Sequence, residues 1–528
     1  MIYVIGSGPA GVSSSVALVR KGHDVTMLDA GIELEAERRQ MLEELTVQKA
    51  TDWDAVTLER LKDNMRPTAE GVSLKYSYGS DFPYRETEAY VPRELRNAAI
   101  FSSLAQGGLS NVWGAAILPY AADDMSDWPL TLEELGPHYR SVLSFMGLAA
   151  VRDDLESQFP LYSDNYAAMR TCEQIKDFLG DLGNNRKQLQ ADGFLFGSSR
   201  LAVYSRNRNN HECATCGLCL YGCPYGLIYN SAQTLEELRQ HSNFTYVKDV
   251  IVQKLEESVD YVKVIGLRRT NSELVTFNAS RVYVAAGVLS STKLVLDSLE
   301  AYDQTLTLKD SQYFMLPLLR YRGVPRVINE ELHTLAQAFI EISDKSLSEK
   351  TVHLQIYGYN DLYRKSLENS FGHFYPLFRF ASNTFLSRFL LVQGYLHSDV
   401  SATISLKLRA PENGAQSKLI LEGGNNGDGQ KIVRRVVTKL AENKNQLRAV
   451  PLKYLMTIGK PGQGNHSGGS LPMRARPGPL ETDVAGRPSG FRRVHVVDSS
   501  VFPSIPATTI TLTIMANAHR IAAAHNHY

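Results

Sequence analysis

Nowhere in the 528 residues does an apolar run approach the ~18 residues a membrane-spanning helix requires, so no transmembrane segment is expected. Charge of neither sign is in excess: Lys plus Arg total 56 and Asp plus Glu total 56. Such a chain lacks the broad basic face that nucleic acid or an anionic membrane selects, and neither is expected as a partner. Glycine (38) and proline (21) are too sparse for a low-complexity or collagen-like polymer. The opening residues Met1-Ile2-Tyr3-Val4-Ile5-Gly6 contain no basic leader, apolar core or small-residue cleavage site, which predicts a protein that stays in the cytoplasm. Cysteine is scarce too. One of the five stands alone at Cys172, while Cys213, Cys216, Cys219 and Cys223 fall within eleven residues. In a reducing compartment that crowding favours a metal or redox role over disulfides.

What is present is an ordinary globular composition, 43% hydrophobic, at a length that suits two to four domains of ~150 residues. The first thirty residues read as strand, glycine turn, helix (12–21) and second strand (24–28) ending at Asp29. Residues 32–70 are charged and helix-like and read as a solvated excursion. A helix is expected around 231–240. Residues 244–286 alternate as strands do and close on Ala285-Ala286-Gly287. The segment 311–450 differs in character, with strand-like runs, an aromatic patch (Phe371, Phe374, Tyr375, Phe378, Phe380, Phe385, Phe389) and turns at 412–430 before a helix at 431–443. A strand at 494–497 and a helix at 511–524 follow. We therefore expect an α/β chain. Its nucleotide-binding domain would be assembled from 1–310 and 456–528, with an α+β substrate domain on an antiparallel sheet inserted at 311–455.

The turn Gly6-x-Gly8-x-x-Gly11 follows a strand, opens a helix and precedes by eighteen residues an acid at a strand end, Asp29. Glycines there permit a tight turn and close approach of backbone N–H groups to a pyrophosphate, and Asp29 can accept from ribose hydroxyls. The motif alone does not choose between NAD and FAD.

Further motifs recur in a set order: Gly107-Gly108-Leu109-Ser110, Asp127-Trp128-Pro129-Leu130, Ala285-Ala286-Gly287, Asn465-His466-Ser467-Gly468-Gly469 and Val496-Val497-Asp498-Ser499-Ser500. This series resembles the glucose–methanol–choline (GMC) flavoprotein oxidoreductases, over both ends and the middle of the chain but little of 311–450. The resemblance implies a Rossmann-like FAD domain. It implies that the loop Gly107, Gly108, Ser110, Asn111, Trp113 and Gly114 runs under the isoalloxazine. Asp498 would meet the ribityl and pyrophosphate region, and Val250, Ala286 and Gly287 would complete the cofactor contacts. Where some relatives carry a histidine bonded to the flavin, this chain has Val112, so FAD is expected to be non-covalent.

By the same resemblance His466 is the active-site base, taking a proton from a substrate hydroxyl while hydride leaves for the flavin. An imidazole with an ordinary pKa near 6.5 suits that task independently. The family's second His or Asn lies about eleven residues beyond the Asp, which here is Thr509. Its hydroxyl can orient a substrate oxygen but is no base at neutral pH, and a helix N-cap is the alternative use.

Cys213-x-x-Cys216-x-x-Cys219-x-x-x-Cys223-Pro224 has the bacterial ferredoxin spacing. A [4Fe-4S] or [3Fe-4S] iron–sulfur cluster is expected, with Cys223 or Cys172 as fourth ligand. A metal-free structural loop and a zinc site are the alternatives. The aromatic patch reads as core of the inserted domain, with a substrate funnel or docking face as the other use. The function expected is an FAD-dependent alcohol dehydrogenase acting on a sugar, cyclitol or glycoside and passing electrons to an acceptor or carrier protein. A hydrophobic-alcohol or sterol oxidase and a flavin/iron–sulfur electron-transfer protein are the rivals.

Overall fold

The apolar run Ile2–Ile5 forms a strand paired in parallel with Val25–Leu28 on one side and Arg281–Val284 on the other. Phe244–Val247 and Val494–Val496 extend the sheet at its two edges, giving five parallel strands. Strands apolar on both faces are what a sheet covered by helices requires. The helix Pro9–Arg20 follows the first strand and packs on Thr511–Ala523, with Ser13 Oγ donating to Met515 O (2.6 Å). An antiparallel meander, Val250–Glu257, Val262–Arg268 and Leu274–Ala279, leads into Arg281–Val284. The computed structural model describes residues 1–62, 74–205, 211–371, 375–412, 415–425 and 427–525.

A second sheet is antiparallel throughout, in the order Ala449–Pro451, Tyr313–Arg320, Phe389–Tyr395, Val352–Tyr357, Ala338–Ile342 and Phe194–Ser198. Its residues alternate in destination. Phe314, Leu316, Val392, Leu354, Ile356 and Ile340 enter a core shared with the helices Glu173–Asn184 and Gly427–Glu442, while the intervening residues face the parallel sheet. A third sheet joins Ser467–Gly468, Leu306–Asp310, Ile404–Arg409, Lys418–Gly423 and Arg93–Arg96. The architecture is a mixed α/β fold with several sheets.

Pairing across sheets differs from the sequence expectation in two places. Phe194–Ser198 lies outside 311–455 yet forms an edge of the antiparallel sheet. Ile404–Arg409 lies inside that range yet pairs with Leu306–Asp310 outside it. Strand partners of this kind are set by long-range register, which composition along the chain does not record. The segment 32–70 is more than a solvated excursion over its described part: Met41, Leu45, Trp53 and Leu61 are buried against Leu218 and Tyr221 of the cysteine loop. In the aromatic patch Phe380 is 85% exposed, against the core reading, and Phe385 packs on Phe389 (5.3 Å between ring centroids). Phe374 and the side chains of Phe371, Tyr375 and Phe378 fall outside the described residues. Among the described residues no helix is long and apolar enough to cross a membrane.

Candidate active site

A cavity of about 870 Å³ lies at the carboxyl ends of the parallel strands, beneath the free face of the antiparallel sheet. That is where open α/β sheets take ligands, and the size suits a cofactor plus a small substrate. Gly6 and Gly8 line it, and the helix that begins at Pro9 has no acid in its first turn. Its N-terminal end therefore offers unneutralised N–H groups to an anion. Gly6 sits at φ +98°, where a Cβ would come within 2.7 Å of Ala285 O. Gly11 does not line the cavity. A Cβ there would collide with Gly6 O, so its role is to let helix and strand approach.

Asp29 is buried at the end of the second strand and accepts from Ser7 Oγ (2.6 Å) and Tyr246 OH (2.9 Å). Burial pushes its pKa up to about 6 against those hydrogen bonds. Val250 closes the same end of the cavity and donates its N–H to Asp29 O (2.9 Å). Along the floor lie Gly108, Ser110, Val112, Trp113 and Gly114, while Gly107 and Asn111 stand behind it. Gly107 N donates to Ser7 Oγ (2.9 Å), and Asn111 Nδ2 donates to Gln106 O and Gly108 O (2.9 and 2.7 Å). Those two therefore shape the loop rather than the cavity wall. Ala286, Gly287 and Asp498 line the floor as well. The Asp498 carboxylate accepts from Gly287 N, Ser291 Oγ, Ser500 N and Ser500 Oγ at 2.5–3.0 Å. Its lone pairs are committed to tying two strand ends together.

The opposite wall carries His466. Asp310 brackets its loop, accepting from Gly462 N (2.7 Å) and Ser467 Oγ (2.8 Å), and Ser311 N donates to His466 O (3.1 Å). The imidazole stacks on Tyr395 (4.8 Å, 25°). Its Nδ1 is buried without a hydrogen-bond partner, which leaves Nε2 as the nitrogen available to the cavity. Burial, then the neighbouring His353, push its pKa down to about 3, so the ring is neutral and proton-accepting at ordinary pH. Thr509 lines the cavity, and its Oγ1 accepts from Leu118 N (2.8 Å). It is not a helix cap: the following helix starts at Thr511 with Ile510 as its N-cap.

Alternation in the antiparallel sheet delivers Tyr313, Gln355, Tyr357, Gln393 and Tyr395 to the cavity. None was singled out from the sequence. The available signal was period-2 spacing, as in Leu391, Gln393 and Tyr395 of one strand. Lys75 was also missed. It lines the cavity, donates to Trp113 O (2.9 Å) and is pushed down by burial to about 8.

Cys213, Cys216, Cys219 and Cys223 all line a second, small cavity of about 20 Å³, whereas Cys172 lies elsewhere, at the N-terminus of the helix Glu173–Asn184. Burial raises the Cys213, Cys219 and Cys223 thiols, Cys223 to about 11, and hydrogen bonds with Thr334, then the charge of Lys75, partly offset the rise at Cys219. Among the described residues no three His, Cys, Asp or Glu are grouped as a metal ion would need, so the expected iron–sulfur or zinc site is not formed by these side chains as they stand. The cysteine loop nevertheless adjoins the main cavity, which Leu220 lines.

Residues 425–518, which include His466, Asp498 and Thr509, match the family model described as GMC oxidoreductase. No curated protein sequence matches the chain. Among solved structures the fold is similar to pyridoxine 4-oxidase from Mesorbium loti (TM-score 0.58, 13% identity, covering 100% of this chain and 99% of that one). It is similar also to formate oxidase from Aspergillus oryzae RIB40, a protein studied for FAD modification (TM-score 0.57, 14% identity, covering 99% and 97%). At such identities the likeness is one of fold.

Proposed function

We propose, from a chain whose residues 425–518 carry the GMC oxidoreductase C-terminal domain, an FAD-dependent oxidoreductase that converts a CH–OH group to a carbonyl. The observation that carries this reading is His466: a neutral imidazole facing, across one cavity, the glycine turn and helix N-terminus that suit a dinucleotide pyrophosphate. We read the parallel-sheet part as a Rossmann-like FAD domain formed by 1–310 and 456–528, and the antiparallel sheet as the substrate domain. Gly6, Gly8 and the helix N-terminus hold the pyrophosphate. Asp29 takes the adenosine ribose, and the floor from Gly108 to Gly114 supports the ring system. Val112 lines that floor and offers no atom for a covalent link, so FAD is held non-covalently.

FAD, when bound, supplies the two-electron acceptor for the hydride leaving the substrate carbon. His466 Nε2 takes the hydroxyl proton. Its neutral form suits a base, and an imidazolium formed beside a developing alkoxide is stabilised by that charge. The Thr509 hydroxyl, its oxygen already accepting from Leu118 N, has its hydrogen to donate to the substrate oxygen. The roof of tyrosine and glutamine side chains recognises hydroxyl groups by hydrogen bonding while the rings cover apolar C–H faces. That chemistry favours a sugar, cyclitol or glycoside over a sterol, whose skeleton would leave those polar groups unpaired. A base beside the cofactor has no use in a pure electron relay.

For the cysteine loop we keep the iron–sulfur reading. Four thiols around one small cavity, adjoining the flavin cavity through Leu220 and Lys75, support it. Ligation would need the thiols deprotonated and drawn together. A cluster there would take electrons singly to an acceptor or carrier protein and make the enzyme a cytoplasmic dehydrogenase rather than an oxidase. The deciding experiment titrates the FAD-loaded protein under nitrogen with sugars, cyclitols, glycosides and sterols while following flavin absorbance. Bleaching by a polyhydroxy alcohol is expected. Bleaching by sterols alone, or by nothing in the panel, overturns the substrate reading.

A further inference from the structure

Behind His466 the antiparallel sheet carries a row of side chains that runs from the cavity roof into a buried acid–imidazole pair. Glu341 stands opposite His353, His353 opposite Tyr395, and Tyr395 opposite Tyr313, on four adjacent strands. Directly opposed residues share a face, so the four lie on the side of the sheet turned toward the cavity. Tyr313 and Tyr395 reach it. Glu341 and His353 do not: both side chains are fully buried, and His353 Nδ1 donates to Glu341 Oε1 (2.6 Å). Apolar residues of equal volume commonly replace such a buried pair without loss of stability. Stability is therefore a weak reason for its presence.

The pair sits one step from the imidazole. The His353 ring lies against Tyr395 (6.3 Å, 31°), Tyr313 flanks Tyr395 on the other side (5.4 Å, 48°), and His466 stacks on Tyr395. His466 Nδ1 has no hydrogen-bond partner. No hydrogen bond through that nitrogen therefore fixes the plane of the imidazole, and the Tyr395 stack has that task. The geometry points to Glu341 and His353 as positioning residues for His466: the buried pair fixes Tyr395, and Tyr395 fixes the face and direction that the imidazole presents to the cavity. The inference rests on His466 being the proton acceptor. Glu341 fixes which His353 nitrogen carries the proton. Its carboxylate also lies in the fields of Arg200 and Asp124, and Tyr395 in that of Asp310.

The test uses FAD-loaded full-length protein labelled with ¹⁵N-histidine, the His466 ring signals being assigned by their loss in His466→Gln. The double variant Glu341→Met/His353→Phe replaces the pair by apolar volume, while Glu341→Gln keeps volume and one acceptor. Both are expected to retain FAD. In the double variant the His466 ring signals should split or broaden into more than one orientation, and their titration midpoint should move by about one pH unit. Glu341→Gln should show the same change to a smaller extent. Ring signals and midpoint that superimpose on the wild type in a folded variant overturn the proposal. Should the double variant fail to fold, Glu341→Gln decides by the same criterion. The spectrum reports the imidazole whether or not any alcohol is oxidised, so failure of the functional reading and failure of this one are separately visible.

Discussion

The floor and the roof of the cavity are built on opposite principles. The floor is backbone: a glycine turn, a helix N-terminus and strand ends tied together by Asp498. The roof is side chain: phenols and amides brought side by side by strand register. The glycine turn tolerates little change, because at Gly6 and Gly11 one added carbon meets backbone that cannot move. A side-chain roof can be altered residue by residue without losing the sheet, and this teaches where cofactor retention and substrate choice are separately encoded.

The largest effect should come from the floor. Gly11→Ala drives a Cβ into Gly6 O, and we expect protein purified without FAD, read from the absorbance spectrum. A yellow, fully loaded variant would break the distinction. His466→Ala, on the opposite wall, should keep FAD yet slow anaerobic flavin reduction by ~10²–10⁴, the usual range for loss of a general base. Thr509→Ala removes one hydrogen bond to substrate and strands the Leu118 N–H, so a decrease of about tenfold in the same rate is expected, with a lower melting temperature. Gln393→Leu, in the roof, should raise the substrate concentration for half-maximal reduction several-fold, roughly the worth of one neutral hydrogen bond, and leave FAD content unchanged.

The smallest effect is a slope. His466 in the folded chain is protonated only near pH 3, while the unfolded chain takes that proton near 6.5. The stabilising contribution of the neutral ring is complete above 6.5 and is lost as pH falls toward 3. His466→Gln should therefore make the melting temperature less sensitive to acid across that window. Parallel curves for variant and wild type would place the imidazole in water instead.

The same contrast explains what the sequence could reveal. The glycine turn and Asp29 are separated by few residues, so their geometry is written in local spacing. His466 was legible only because its loop resembles a known family pattern. The roof was illegible because Gln355 and Gln393 face each other across strands that lie far apart along the chain. Asn111 and Gly107 are legible as a motif, yet they act from behind the wall. Local pattern identifies a loop but not which of its side chains face inward. The cysteine spacing predicted an iron–sulfur cluster; the four cysteines do line one small cavity. Spacing does not by itself set thiol-to-thiol distance, and no metal-sized grouping exists among the described residues.

Asp498 has a consequence for how the protein is made. Its carboxylate joins a strand end near residue 287 to the segment 498–500, and the helix that follows supplies Met515 O to Ser13. During synthesis the helix that follows the glycine turn precedes its partner Met515 by 502 residues, so that closure carries the loop-entropy cost of a very long contact. A ribosome-bound intermediate that has not passed the strand Val494–Val496 lacks that edge strand, the Asp498 hydrogen bonds and the helix Thr511–Ala523 at once. Cofactor capture is thereby deferred until these segments have been made, and chains stalled before them will emerge colourless.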